Sequence, residues 1–303
     1  MAQLGAVVIP CASRKRWTVA PGLSACELPR GDQVLVAAEW MSRLRTAATQ
    51  GDAKSLYMGR GFSLGASAAA HAAVPLFVVS AGLGVVAGTR AVPSYGLTVG
   101  TRTDDAIGPR MTGGIDSAAW WRTVTGGPFS MQWQSVVEVG GLVLIALSQA
   151  YAGLIAEDLS AMNPIDVRRM RFFGTGLDQV LPAALRSSIM PYDARLDALW
   201  PGTRTDFAQR ALAHFAKAVV HSEDPADDAA AVSRALQDHR APERIERPRA
   251  GDDVLIMAIR RHLRATSGIG RILRRLREQD QIACEQRRFT RLYHAAVQQG
   301  AVQ

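Results

Sequence analysis

Short runs of apolar, β-branched residues alternate along this chain with longer stretches in which apolar positions recur every three or four residues. Ala6-Val7-Val8-Ile9 and Leu76-Phe77-Val78-Val79 are too apolar for half-exposed strands, so they read as central parallel strands covered on both faces. Further strands are expected at Leu142 to Leu147 and around Met170 to Phe173. Gln33 to Gln50, Gly61 to Ala73, Ser117 to Val124, Gln149 to Leu159, Pro182 to Ser187 and Asp206 to Val220 carry helical patterning. Glycines and prolines from Gly82 to Pro109 make a long connection, uncommon in a compact domain unless it serves a function. Strands alternating with helices predict an α/β domain of three layers about a mainly parallel sheet, spanning 1–222.

The acidic, alanine-rich Ser222 to Asp228 and the charged, proline-punctuated Pro242 to Arg249 bracket an expected linker over 223–250. Beyond it, 251–303 contains three helical patterns at Val254 to Thr266, Gly270 to Arg277 and Glu285 to Val297. Ile256, Ile259 and Leu263 share one face, as do Ile269, Leu273 and Leu276 on the second helix. The joint Ser267-Gly268-Ile269-Gly270 resembles the turn of a helix-turn-helix unit, with a plain three-helix cap as the alternative.

Composition narrows the classes. At 303 residues the chain can bury a full core, and no run of about eighteen apolar residues suggests a membrane span. An apolar strand follows the first residues at once with no basic leader, which predicts a cytoplasmic protein. Cys11, Cys26 and Cys284 form neither a disulfide framework nor a zinc knuckle. The formal net charge is +8, and Glu243 to Arg291 holds thirteen arginines against seven acids, so the tail carries most of the surplus. A nucleic-acid partner is expected there, with a solvated basic face as the alternative.

The candidate chemistry lies at the strand ends, because open α/β sheets hold ligands beyond the carboxyl ends of their strands. Pro10-Cys11-Ala12-Ser13 and Ser80-Ala81-Gly82 fall there. Arg14-Lys15-Arg16 and Arg60, the latter at an expected helix start, suit a phosphate. No GxxxxGK[ST] or complete GxGxxG spacing is present, and no GxSxG elbow. The six histidines show no metal-ligand spacing, so neither a metal nor a cofactor is expected. Tyr95 suits stacking on a planar ligand or packing in its own loop, and Cys11 a plain buried thiol more than a nucleophile. Ser80 and Ser148 suit hydrogen bonds to a base edge or helix capping. Among carboxylates, Asp104, Asp105 and Asp116 flank the long connection and Asp193 follows Met190-Pro191-Tyr192. Any one of them beside an anomeric carbon could orient water and stabilise an oxocarbenium-like charge.

The four motifs VVIPCASRKR, YMGRGFS, FVVSAGLGVV and VPSYGLTV resemble those of a bacterial family related to the uracil-DNA-glycosylase-like domain of some archaeal tRNA-modifying enzymes. The matching residues are Ile9, Pro10, Cys11, Ser13 and Lys15, then Tyr57, Gly59 and Arg60, then Ser80 to Leu83, then Tyr95, Leu97 and Thr98. They cover about the first third of the chain, and Gly96 departs from the pattern where the family turn has an acid. The resemblance implies a uracil-DNA-glycosylase-like fold and hydrolysis of an N-glycosidic bond to a base flipped out of DNA. Its sharpest form is a defence enzyme that removes modified bases from phage DNA, such as glucosylated hydroxymethylcytosine. On the glycosylase reading, Arg14, Lys15 and Arg60 hold phosphates, while Cys11, Ser13, Ser80, Gly82, Tyr95 and Ser148 line the base pocket. Asp104 or Asp193 would then serve the sugar, and Arg271, Arg274, Arg275, Arg287 and Arg288 the duplex phosphates. The alternatives are a base-exchange enzyme acting on tRNA or nucleosides and a non-catalytic, ligand-sensing DNA-binding regulator.

Overall fold

The computed structural model describes residues 2–100, 103–243 and 248–300. They divide into two compact units, the first ending at Pro242 and the second beginning at Glu243. The first unit contains β1 (Leu4–Pro10), β2 (Gly51–Asp52), β3 (Leu76–Ser80), β4 (Gly84–Ala87), β5 (Ala91–Val92), β6 (Leu142–Ala146) and β7 (Met170–Phe173). Five of them form one sheet in the order β4-β3-β1-β6-β7, while β2 and β5 pair separately. β1 runs parallel to both β3 and β6, and β6 runs parallel to β7.

Apolar sequence is what buried strands require, and every residue of β6 and β7 and the interior of β1 are buried, Arg171 of β7 being the charged exception. Helices Arg60–His71 and Phe207–Ala218 pack together on one side of the sheet. Helices Gln33–Thr46, Ser117–Thr125 and Gln149–Ser160 pack against one another on the other. The result is an α/β unit of three layers with a mostly parallel sheet.

Two sequence expectations change. The stretch from Gly82 onward is not a bare connection, because β4 folds back antiparallel on β3 with Val85 and Val86 fully buried. Ser222 to Asp228 does not open a linker either. Asp224 accepts the Ala226 N–H and starts a helix, Pro225–Leu236, whose Val232 and Leu236 join the core. Asp228 bonds the Arg171 guanidinium of β7 at 2.6 Å, both side chains being fully buried. That pair, which hydropathy alone reads as exposed charge, carries the first unit on to Pro242.

The second unit contains the three expected helices, at Asp252–Leu263, Ile269–Glu278 and Gln286–Gly300. Leu255, Ile259, Ile272, Leu276, Phe289 and Leu292 form its separate core. No described helix is long and apolar enough to cross a membrane.

Candidate active site

β1 sits between β3 and β6, and the chain passes from β1 to β3 on one side and from β6 to β7 on the other. The carboxyl ends of β1 and β6 therefore border the topological switch point. Cys11 follows β1, and Tyr151 lies in the first turn of the helix after β6. The Cys11 Sγ and the Tyr151 hydroxyl are 3.2 Å apart, so a hydrogen bond spans the crevice.

Groups on the β3 side are locked by one another. Ser80 Oγ accepts the backbone N–H of Leu83 at 3.0 Å and of Gly82 at 3.3 Å. With those lone pairs occupied, its proton goes to the Tyr95 hydroxyl at 2.5 Å. The Tyr95 proton then goes to the Tyr57 hydroxyl at 3.0 Å, and Tyr57 becomes the last donor of the relay. Trp40 and Trp120 donate their indole N–H groups to the carbonyls of Gly82 and Ala81, each at 2.8 Å. A Cβ at Gly82 would stand 2.7 Å from the Tyr95 ring, so only glycine permits this approach. Burial, with Cys11 adding to it, pushes the phenols of Tyr57, Tyr95 and Tyr151 far up, and all three stay neutral.

Charge enters through two side chains. Lys15 pairs with Tyr57 in an antiparallel bridge, which lays its side chain across Tyr95 with Nζ 4.5 Å from the ring centroid. The same nitrogen donates to the Ser13 carbonyl at 3.3 Å. Burial lowers the Lys15 pKa, while the nearby Cys11 and Asp105 act the other way. Asp105 is placed by backbone pairing, since the Thr98 N–H donates to its carbonyl at 2.8 Å and the Ile107 N–H donates to Thr98 at 3.0 Å. A Cβ at Gly96 would lie 2.6 Å from Asp105 Oδ1. The Asp105 carboxylate thus stands where a side chain at position 96 would go.

The residues expected from sequence divide into two groups. Cys11, Ser13, Lys15, Ser80, Gly82 and Tyr95 come together at the strand ends. Within that group Ser80 and Tyr95 are fully buried and bonded internally, and the Tyr95 face expected to stack on a ligand is covered by Lys15. Ser148 is exposed at the N-cap position of its helix, and its hydroxyl makes no capping bond. Asp104 is exposed. Asp193 lies beyond β7 in an ion pair with Arg195 at 2.9 Å, and that hydrogen-bonded guanidinium holds its carboxyl below the ordinary range.

The expected phosphate contacts divide as well. Arg60 bonds Asp206 at 3.3 Å and the Pro201 carbonyl at 2.5 Å, so its guanidinium is already engaged. Arg288 is likewise engaged, with Asp252 at 2.6 Å and the Ala250 carbonyl at 2.8 Å. Arg14, Arg271 and Arg274 are exposed and Arg275 is half-buried; among the described residues none of the four has a side-chain hydrogen bond or ion pair. The Arg287 side chain lies outside the described residues.

Sequence reasoning named Tyr57 in its motif without a role, passed over Tyr151 and did not choose Asp105 among the carboxylates. The missing acid at Gly96 was the available signal for Asp105, because an empty turn position invites a carboxylate from the following loop. Tyr151 carried no signal beyond its place just after β6. Two clefts, of about 700 and 770 Å³, open at the amino ends of the strands. The first is lined in part by Leu4, Pro75 and Gly140, the second by Leu142, Arg168 and Asp224. Among the described residues no group of three or more His, Cys, Asp or Glu side chains is placed to hold a metal ion. Comparison with family models, curated proteins and solved structures finds no match to this chain.

Proposed function

We propose that this chain is a DNA N-glycosylase acting on a flipped, modified base at the carboxyl ends of β1, β3 and β6. The observation that carries this reading is the Asp105 carboxylate held beside Gly96 and near Lys15, where the resembled family has an acid in the turn. Asp105 orients water toward C1′ and stabilises the positive charge that develops on the sugar as the base departs. Tyr57, the last donor of the Ser80–Tyr95–Tyr57 relay, keeps its proton and donates a hydrogen bond to an acceptor on the leaving base. Arg14 supplies a phosphate contact at the rim. Arg271, Arg274 and Arg275 of the second unit supply sequence-independent contacts to the duplex.

The test incubates the purified protein with ordinary DNA and with DNA carrying glucosylated hydroxymethylcytosine, followed by alkali and mass spectrometry of the released bases. The expected result is a freed modified base with alkali-labile breaks in the second sample only. Intact DNA in both, despite salt-sensitive binding, would overturn the glycosylase reading in favour of a DNA-binding regulator.

A further inference from the structure

Lys15 is placed unlike an ordinary surface lysine. It is half-buried, with its Nζ 4.5 Å from the centroid of the fully buried Tyr95 ring and donating to the Ser13 carbonyl at 3.3 Å. Burial lowers its proton affinity, and its neighbours include a thiol, Cys11, and a carboxylate, Asp105. A lysine made easier to deprotonate by desolvation is a nitrogen nucleophile rather than a fixed charge. Phosphate anchoring, the role that sequence suggests for Lys15, needs none of this burial. An arginine on an open surface would serve it as well.

We propose that Lys15 is the nucleophile of a second activity at this site, cleavage of the DNA strand at an abasic position through an imine to C1′. The proposal rests on the glycosylase reading for its substrate, since base release leaves an abasic sugar in the same crevice. The neutral amine adds its lone pair to C1′ of the ring-opened aldehyde. The carbonyl oxygen leaves as water, with one proton from the amine and one from solvent, and a cationic imine remains. The Asp105 carboxylate then removes a proton from C2′, and the released electron pair expels the 3′ phosphate as the C3′–O bond breaks. Water hydrolyses the conjugated imine, which frees an unsaturated aldehyde and restores the amine. Asp105 returns its proton to solvent, and no oxidant or reductant is consumed.

The experiment uses a 5′-labelled duplex containing one pre-formed abasic site, so it does not depend on knowing which base is excised. The full-length protein is incubated with this duplex, with and without sodium cyanoborohydride, which reduces an imine to a stable amine. The expected result is strand cleavage without the reductant and a covalent protein–DNA adduct with it. Both should be lost in Lys15→Arg, which keeps the cation over Tyr95. Asp105→Asn should still form the adduct but lose cleavage, a split that misfolding would not produce. No adduct with the wild-type protein, or an undiminished adduct in Lys15→Arg, would overturn the proposal. Base release from modified DNA without an adduct would sink the Lys15 role and leave the glycosylase standing. An adduct and cleavage with no base release from any DNA would do the reverse.

Discussion

The two ends of the central sheet divide the work of the first unit differently. At the amino ends there is volume, two clefts of about 700 and 770 Å³, the first lined in part by glycine and alanine together with His71 and His221, the second by Arg168, Arg169, Glu223 and Asp224 among others. At the carboxyl ends there is chemistry: a buried hydroxyl relay, a thiol bonded to a phenol, a desolvated lysine and a loop carboxylate. Nearer the amino ends, charge is used to hold the fold, as in the fully buried Arg171–Asp228 pair. The carboxyl ends are the candidate site because polar groups that bond one another converge there, and convergent polar groups mark a site more than empty space does.

The sharpest way to break this contrast is to remove one charge from each end. Asp105→Asn should reduce base release by about 10²–10⁴-fold, the usual worth of a positioned acid–base group, while DNA affinity changes little. Asp104→Asn and Asp193→Asn, assayed beside it, should retain activity. If Asp105→Asn excises normally, the carboxyl-end assignment fails.

Asp228→Ala acts on the other side of the comparison. It strands the Arg171 guanidinium without its carboxylate in a fully buried position, which costs about 3–5 kcal/mol. Urea denaturation should show that loss, with activity per folded molecule unchanged. Reduced activity in protein that is still fully folded would show that the amino end is not merely structural.

The smallest effect belongs to His214, which bonds the Tyr192 hydroxyl at 2.8 Å and whose pKa is lowered from 6.5 by burial and by His239. A depressed folded-state value means that the unfolded chain binds the proton first as pH falls. Stability from this group is present in full above pH 6.5 and declines below it, until the folded state is protonated as well. Thermal melts of wild type and His214→Asn between neutral and mildly acidic pH should show that the variant has the flatter profile. Equal slopes would remove His214 from the account.

Much of the frame was legible because hydropathy reports burial directly. The apolar runs of β1, β3 and β6 read as covered strands, and the second unit's three helices follow their spacing of Ile and Leu. Helix Pro225–Leu236 was not legible, since its anchor is an aspartate whose partner lies on β7. The candidate-site cluster was half legible. Lys15, Ser80 and Tyr95 stood out in their motifs, but only the fold shows that Ser80 and Tyr95 bond each other and are fully buried. Asp104 and Asp105 are neighbours with the same chemistry, and a backbone pairing at Thr98 decides which one meets Gly96.

The most direct test is the yield of released base from DNA containing glucosylated hydroxymethylcytosine, measured per folded molecule for wild type, Asp105→Asn and Asp228→Ala together. Release by wild type and Asp228→Ala but not by Asp105→Asn would place the reaction at the carboxyl ends of the strands. Release that persists in Asp105→Asn, or fails in all three, would contradict it.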